Sequence, residues 1–116
     1  MSKSYIDITQ ALSANLRNLR PNIADTMKGF SAMAQSATAD GALDKKTKEL
    51  IALAIGVSTR CDGCIGFHAK ALVELGASRQ EVEETLAMAI YMGGGPSLMY
   101  AADALQAFDE FTENVK

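Results

Sequence analysis

The chain has 116 residues, 48% of them apolar and 22% charged, with 11 Lys and Arg against 14 Asp and Glu for a net charge of −3. That is the size of one domain and the composition of a globular one, which sets aside intrinsic disorder. The negative balance, with no basic stripe, argues against a nucleic-acid partner, and the longest apolar stretch, 50–57, is too short to span a bilayer.

The chain starts with no apolar h-region and carries an early acid, Asp7, so no signal peptide is expected and the expected location is cytoplasmic. β-Branched residues are scattered and no apolar/polar alternation persists, so the whole chain reads as helical. A first helix is expected over 6–19, with Ile8, Leu12, Leu16 and Leu19 on one stripe. Pro21 suits the opening of a second, running through Ile23, Met27, Phe30 and Met33 to about Ser36, and 38–42 forms a connector. Asp44 is placed to cap a third helix reaching Val57, which is apolar all round from Leu50 and so expected to be buried on several sides. Residues 58–60 link it to a fourth helix that starts near Cys61 and stops at Gly76. Ser78 and Glu81 form a capping box for a fifth helix over 79–92. Gly93-Gly94-Gly95-Pro96 then breaks the chain before a last helix over 97–111. The expectation is an all-α fold of about six helices in one domain over 1–116, without repeats.

Both cysteines and the only histidine fall in Cys61-Asp62-Gly63-Cys64-Ile65-Gly66-Phe67-His68. On a helix starting near Cys61, the side chains of Cys61, Cys64 and His68 lie within about 60° of one another. An i, i+3 pair there has its Cα atoms roughly 5 Å apart, a separation a disulfide accepts. C-x-x-C spacing, a helix N-terminus and a nearby basic group each favour thiolate. The segment therefore reads as a redox-active dithiol, with His68 one turn past Cys64 as its base. Without an export signal, such a pair points to redox or metal chemistry and not to a structural staple. Two other readings stay open. The cysteines could be two small buried hydrophobes, or Cys61, Cys64 and His68 could bind zinc with water or Glu49 as fourth ligand. Glu49, at the head of the apolar run, is either a solvated first-turn carboxylate or a buried one that needs a partner.

A glutamate, eleven intervening residues, C-x-x-C, three more residues and a histidine are spaced here as Glu49, Cys61, Cys64 and His68. This resembles the active-site pattern of the alkylhydroperoxidase D-like branch of the carboxymuconolactone decarboxylase superfamily, and the segments 72–78 and 91–96 are similar to that family as well. The resemblance spans 44–108. It implies an alkylhydroperoxidase D-like helical bundle that assembles into trimers or hexamers, and a thiol-dependent peroxidase of peroxiredoxin-type activity. Cys64 would attack a hydroperoxide, Cys61 would resolve the sulfenic acid to a disulfide, and Glu49 with His68 would relay the proton. An external dithiol, lipoyl- or thioredoxin-like, would restore the thiols, and no metal or organic cofactor is implied. One position departs from the pattern: the best-known members carry a histidine immediately before the second cysteine, where this chain has Gly63. The superfamily's decarboxylases generally lack the dithiol.

Two rival functions follow from the same residues. One is an acid–base enzyme acting on a small carboxylated lactone through His68 and Glu49. The other is a non-enzymatic redox-sensing module whose disulfide changes its assembly. Met27, Met33, Met88, Met92 and Met99 are expected as core filler, and Tyr91 and Tyr100 in packing or a subunit interface. The apolar surface exceeds what one small subunit can hide, which suggests a homo-oligomer.

Overall fold

Ser4 sets the first helix in place: its hydroxyl accepts the Asp7 N–H at 3.2 Å, and α1 runs Tyr5–Leu19. A computed structural model describes residues 3–115, and these form six α-helices and one 3-10 turn. Pro21 does not open the second helix as the sequence suggests. It lies inside the 3-10 turn Arg20–Ile23, and α2 follows over Ala24–Thr38. Proline fits the first turn of either helix type, because its missing N–H would be unpaired there in any case.

The next starts are the capped ones. Asp44 accepts the Thr47 N–H at 2.8 Å and opens α3, Lys45–Ser58. Cys61 caps α4, Asp62–Glu74, and Ser78 with Glu81 makes the expected capping box at the head of α5, Arg79–Gly93. The glycine run that reads as a four-residue break is far tighter. Only Gly94 lies outside a helix, and α6 runs Gly95–Asn114, three residues beyond its expected end. Gly94 has φ 72° and ψ −151°, a conformation open only to glycine, so one residue makes the corner.

Helix α4 is the central element, packed against α1, α3 and α6, while α5 closes the bundle on α3 and α6. The core between them holds Leu53 and Val57 of α3, Ile65 and Leu72 of α4, Val82 and Leu86 of α5, and Phe108 and Phe111 of α6. Each such side chain stabilises the fold by about 1.5–3 kcal/mol on burial.

Two faces differ from the periodicity reading. On α1 the buried residues are Tyr5 and Thr9, with Leu12 next on the same stripe and Leu19 48% exposed. The cause lies on α4. A Cβ at Gly66 would sit 2.6 Å from Thr9 Cγ2, and one at Gly63 would sit 2.7 Å from Leu12 Cδ1. The two glycines therefore give α1 a shallow track into which Thr9 and Leu12 settle. On α3 only Glu49, Leu53, Gly56 and Val57 are buried, and Ile51 and Ile55 are open rather than enclosed. Among the described residues, no helix is long and apolar enough to cross a membrane.

Candidate functional site

Helices α3 and α4 are antiparallel neighbours joined by a three-residue link, and the way α3 ends decides where Cys61 falls. The Arg60 N–H bonds to the Val57 carbonyl at 3.1 Å and the Cys61 N–H to the Gly56 carbonyl at 3.0 Å, the paired bonds of a Schellman motif. Such a motif needs one left-handed residue, and Arg60 supplies it with φ 58°. A side chain there costs about 1 kcal/mol relative to glycine. The same motif ends α4, where Gly76 takes the left-handed position with φ 76°. The chain thus turns out of α3 and enters α4 at Cys61.

Cys61 is the N-cap of α4, with extended backbone (φ −107°, ψ 100°), and its sulfur accepts the Cys64 N–H at 3.1 Å. Cys64 sits in the first turn. The two are joined as a disulfide with Cα atoms 5.2 Å apart, and both are partly buried. The sulfurs therefore lie where unpaired helix N–H groups concentrate partial positive charge, a setting that favours thiolate once the bond is reduced.

Gly56 brings the two helices together beside this pair. A Cβ on Gly56 would stand 3.1 Å from the Cys64 Cβ and 3.6 Å from the Ile65 nitrogen, so α3 backbone forms one wall of the dithiol. Farther along the hairpin, Glu49 and His68 meet: Oε2 of Glu49 is 2.6 Å from Nδ1 of His68. An ionised carboxylate only accepts, and with Glu49 in that form Nδ1 is the donor and Nε2 the second ring nitrogen. The Glu49 side chain is 7% exposed and that of His68 32%, so the carboxylate is enclosed and the imidazole reaches toward solvent. His68 lies one turn past Cys64 on the same helix.

All four residues singled out from the sequence thus share one hairpin, with two explicit links: the disulfide and the Glu49–His68 hydrogen bond. Glu49 is the buried carboxylate of the two alternatives. It lies with Leu53, Gly56 and Val57 on the one buried stripe of α3, which the reading of that helix as apolar all round did not show. Gly63 is covered by Leu12 of α1, so a histidine there would compete with that leucine for space. Tyr91 is 78% exposed and lies outside the core, while Tyr100 packs against it. Among the described residues no group of three or more His, Cys, Asp or Glu is arranged to hold a metal ion.

Periodicity did not single out a second set of residues around Asp62. The Asp62 carboxylate, between the cysteines, accepts from Lys3 Nζ at 3.1 Å and from the Tyr5 hydroxyl at 3.3 Å. Both donors come from the start of the chain, too far away in sequence for any local pattern to connect them. Tyr5 is fully buried, and burial together with Asp103 and Asp62 pushes its phenol well above the usual range, so it stays a donor.

Residues 24–107 match the carboxymuconolactone decarboxylase family, a stretch that begins well before the dithiol hairpin. A carboxymuconolactone decarboxylase family protein of Legionella pneumophila, solved in its apo form, is 58% identical and superposes with a TM-score of 0.92 over 93% of this chain and 96% of that one. A family protein of Thermotoga maritima, suggested to take part in an antioxidative response, is 33% identical with a TM-score of 0.71 over 78% of this chain and 93% of its own. An uncharacterized protein of Cupriavidus necator is 45% identical over 83 residues, covering 72% of this chain and 74% of that protein. One encoded in the cox locus of Paracoccus denitrificans is 40% identical over 81 residues, covering 70% and 73%. With this match, and with a C-x-x-C disulfide set beside a glutamate–histidine pair, the chain belongs to the carboxymuconolactone decarboxylase family and is an alkylhydroperoxidase D-like member of it.

Proposed function

We propose that this protein is a thiol-dependent peroxidase that reduces organic hydroperoxides or hydrogen peroxide through the Cys61–Cys64 pair. The observation that carries the reading is the enclosed Glu49 carboxylate 2.6 Å from His68 Nδ1, one helical turn from a dithiol already paired as a disulfide. An acid–base pair beside two thiols is what peroxide reduction requires: a proton must leave the attacking thiol and another must reach the departing alkoxide.

In the cycle, the Cys64 thiolate attacks the terminal oxygen of the hydroperoxide. The O–O bond breaks, an S–O bond forms, and the alcohol leaves with a proton delivered through His68. The Cys61 thiol then displaces water from the Cys64 sulfenic acid and closes the disulfide. The peroxide is reduced by two electrons and the thiol pair is oxidised by two. An external dithiol, lipoyl- or thioredoxin-like, reopens the bond by exchange. This cycle suits a reducing cytoplasm, where such dithiols are maintained.

The test is a single turnover without reductant. Reduced protein given one equivalent of an organic hydroperoxide should lose two thiols for each peroxide consumed, within seconds. Thiols that persist for many minutes beside unreacted peroxide would refute the peroxidase reading. Slow thiol loss accompanied by a change of particle size would instead favour a redox-sensing module.

The working unit in this reading is a homo-oligomer, a trimer or hexamer. In support, α2 has no buried residue at all, with Phe30 58% and Met33 60% exposed. Across the bundle Ile51, Ile55 and Met88 line an apolar groove between α3 and α5, and Met92 is 77% exposed. A helix of this length is marginal without tertiary cover, and a second copy supplies apolar surface to match. Light scattering should give a mass three or six times the 12.3 kDa of one chain. A particle of one-chain mass at tens of micromolar would overturn the oligomer.

A further inference from the structure

Residues 3–6 are fastened to α6 by a set of hydrogen bonds and reach from there to Asp62 of the dithiol segment. The Glu110 carboxylate of α6 accepts from the Tyr5 N–H at 3.0 Å, the Ile6 N–H at 3.4 Å and the Ser4 hydroxyl at 3.2 Å. Gln106 of the same helix donates to the Lys3 carbonyl at 2.5 Å and to Glu110 at 2.8 Å. These bonds hold the backbone of residues 3–6, and from there the Lys3 ammonium reaches Asp62 at 3.1 Å and Asp103 at 3.2 Å, lying 5.1 Å from the centre of the Tyr100 ring.

Lys3 and Asp62 are each about two-fifths exposed, with side chains 41% and 38% accessible. A pair so open to solvent contributes little to stability. Its position is the notable feature. Asp62 lies between the two cysteines in sequence, in the first turn of α4, and an unbalanced negative charge there would oppose thiolate formation at both. Lys3 and the Tyr5 hydroxyl answer it.

We propose that Lys3, with Tyr5, is a positioning and charge-balancing residue for the redox pair: it neutralises Asp62 and so sets the thiolate content and the reduction potential of Cys61–Cys64. The charged and titratable groups in this network are Lys3 before α1, Tyr5 on α1, Asp62 on α4, and Tyr100 and Asp103 on α6. Removing the Lys3 charge leaves the loop more negative. Thiolate is then disfavoured, the reduced form loses stabilisation, and the potential falls. Removing the Asp62 charge does the reverse. Opposite signs from two partners of one ion pair are an electrostatic signature, because a merely structural clamp would weaken in the same way from either side.

This inference rests on the dithiol reading but not on peroxide chemistry, so its test uses no peroxide. Reduced protein is alkylated with iodoacetamide at pH 7, and its potential is measured by equilibration in glutathione buffers. Lys3→Ala is expected to slow alkylation by about threefold and make the pair more reducing, and Asp62→Asn to speed it by a similar factor and make the pair more oxidising. Lys3→Arg should restore the wild-type rate. The opposite shifts of Lys3→Ala and Asp62→Asn should both shrink in 1 M salt, where charges this exposed are screened, while thermal melting of Lys3→Ala stays close to wild type. Lys3→Ala and Asp62→Asn moving in the same direction, or neither moving, would overturn the proposal. Wild-type thiols that reclose in glutathione but ignore hydroperoxide would instead refute the peroxidase reading and leave this one standing.

Discussion

Cys64→Ser is expected to abolish peroxide-driven thiol loss, while Cys61→Ser should still consume one peroxide per chain and stop at a trapped sulfenic acid. The two thiols are not equivalent. Cys64 is in the first turn of α4, walled by the Gly56 backbone, with His68 one turn on. Cys61 is the N-cap, and its sulfur already accepts the Cys64 N–H at 3.1 Å. In the proposed cycle the N-cap position would stabilise a thiolate on Cys61, whereas the Glu49-bound imidazole one turn along α4 would activate Cys64. For the attacking step the base is decisive, because the reaction also needs a proton donor for the alkoxide, which an N–H dipole cannot supply. Both serine variants should fold, since serine is a better N-cap than cysteine at 61 and is tolerated in a first turn at 64. Trapping the sulfenic acid with a dimedone-type reagent reads out the roles directly. A sulfenic acid on Cys61 in the Cys64→Ser protein, formed at wild-type rate, would exchange the two assignments.

Helix starts in this chain were legible where a cap writes itself into a few adjacent residues. Asp44 with Thr47, and Ser78 with Glu81, are such cases, and both occur as expected. The dithiol hairpin was legible for the same reason: Cys61, Cys64 and His68 sit within two turns. What escaped depends on residues far apart. The buried residues of α1 are Tyr5 and Thr9 rather than the row Ile8, Leu12, Leu16 and Leu19, because Gly66 on α4 lets Tyr5 and Thr9 approach its backbone closely. The left-handed Arg60 has no sequence signal, since arginine is not the residue such a turn selects. The open Ile51 and Ile55 misled in another way. An apolar side chain marks surface that avoids water, but it does not say whether the cover comes from the same chain. The Asp62 network was invisible for the plainest reason: its partner Lys3 is 59 residues away.

Glu49→Gln is expected to lower the rate of hydroperoxide-dependent thiol loss by about 10²-fold, with little loss of stability. Glutamine keeps the shape of the side chain and an oxygen that accepts the His68 Nδ1–H, so the ring stays aimed. The negative charge is lost, and with it the stabilisation of the imidazolium that would form as His68 takes the Cys64 proton in the proposed relay. Size and charge are thereby separated at a position where the side chain is 7% exposed and the contact is 2.6 Å. Enclosing an ion of this kind carries a desolvation cost on the order of several kcal/mol, set against the hydrogen bond to its partner. Removing the charge should therefore leave the melting temperature unchanged or raise it while activity falls, the divergence expected of a residue kept for chemistry and not for packing. Glu49→Asp, one methylene shorter, would keep the charge but draw it back from Nδ1, and an intermediate rate is expected. The control is disulfide closure by a diazene oxidant, which asks only that the two thiols meet. It should run at wild-type rate in Glu49→Gln, confining the defect to proton transfer. A Glu49→Gln protein that reduces hydroperoxide at full rate would remove the carboxylate from the relay and leave His68 to act alone.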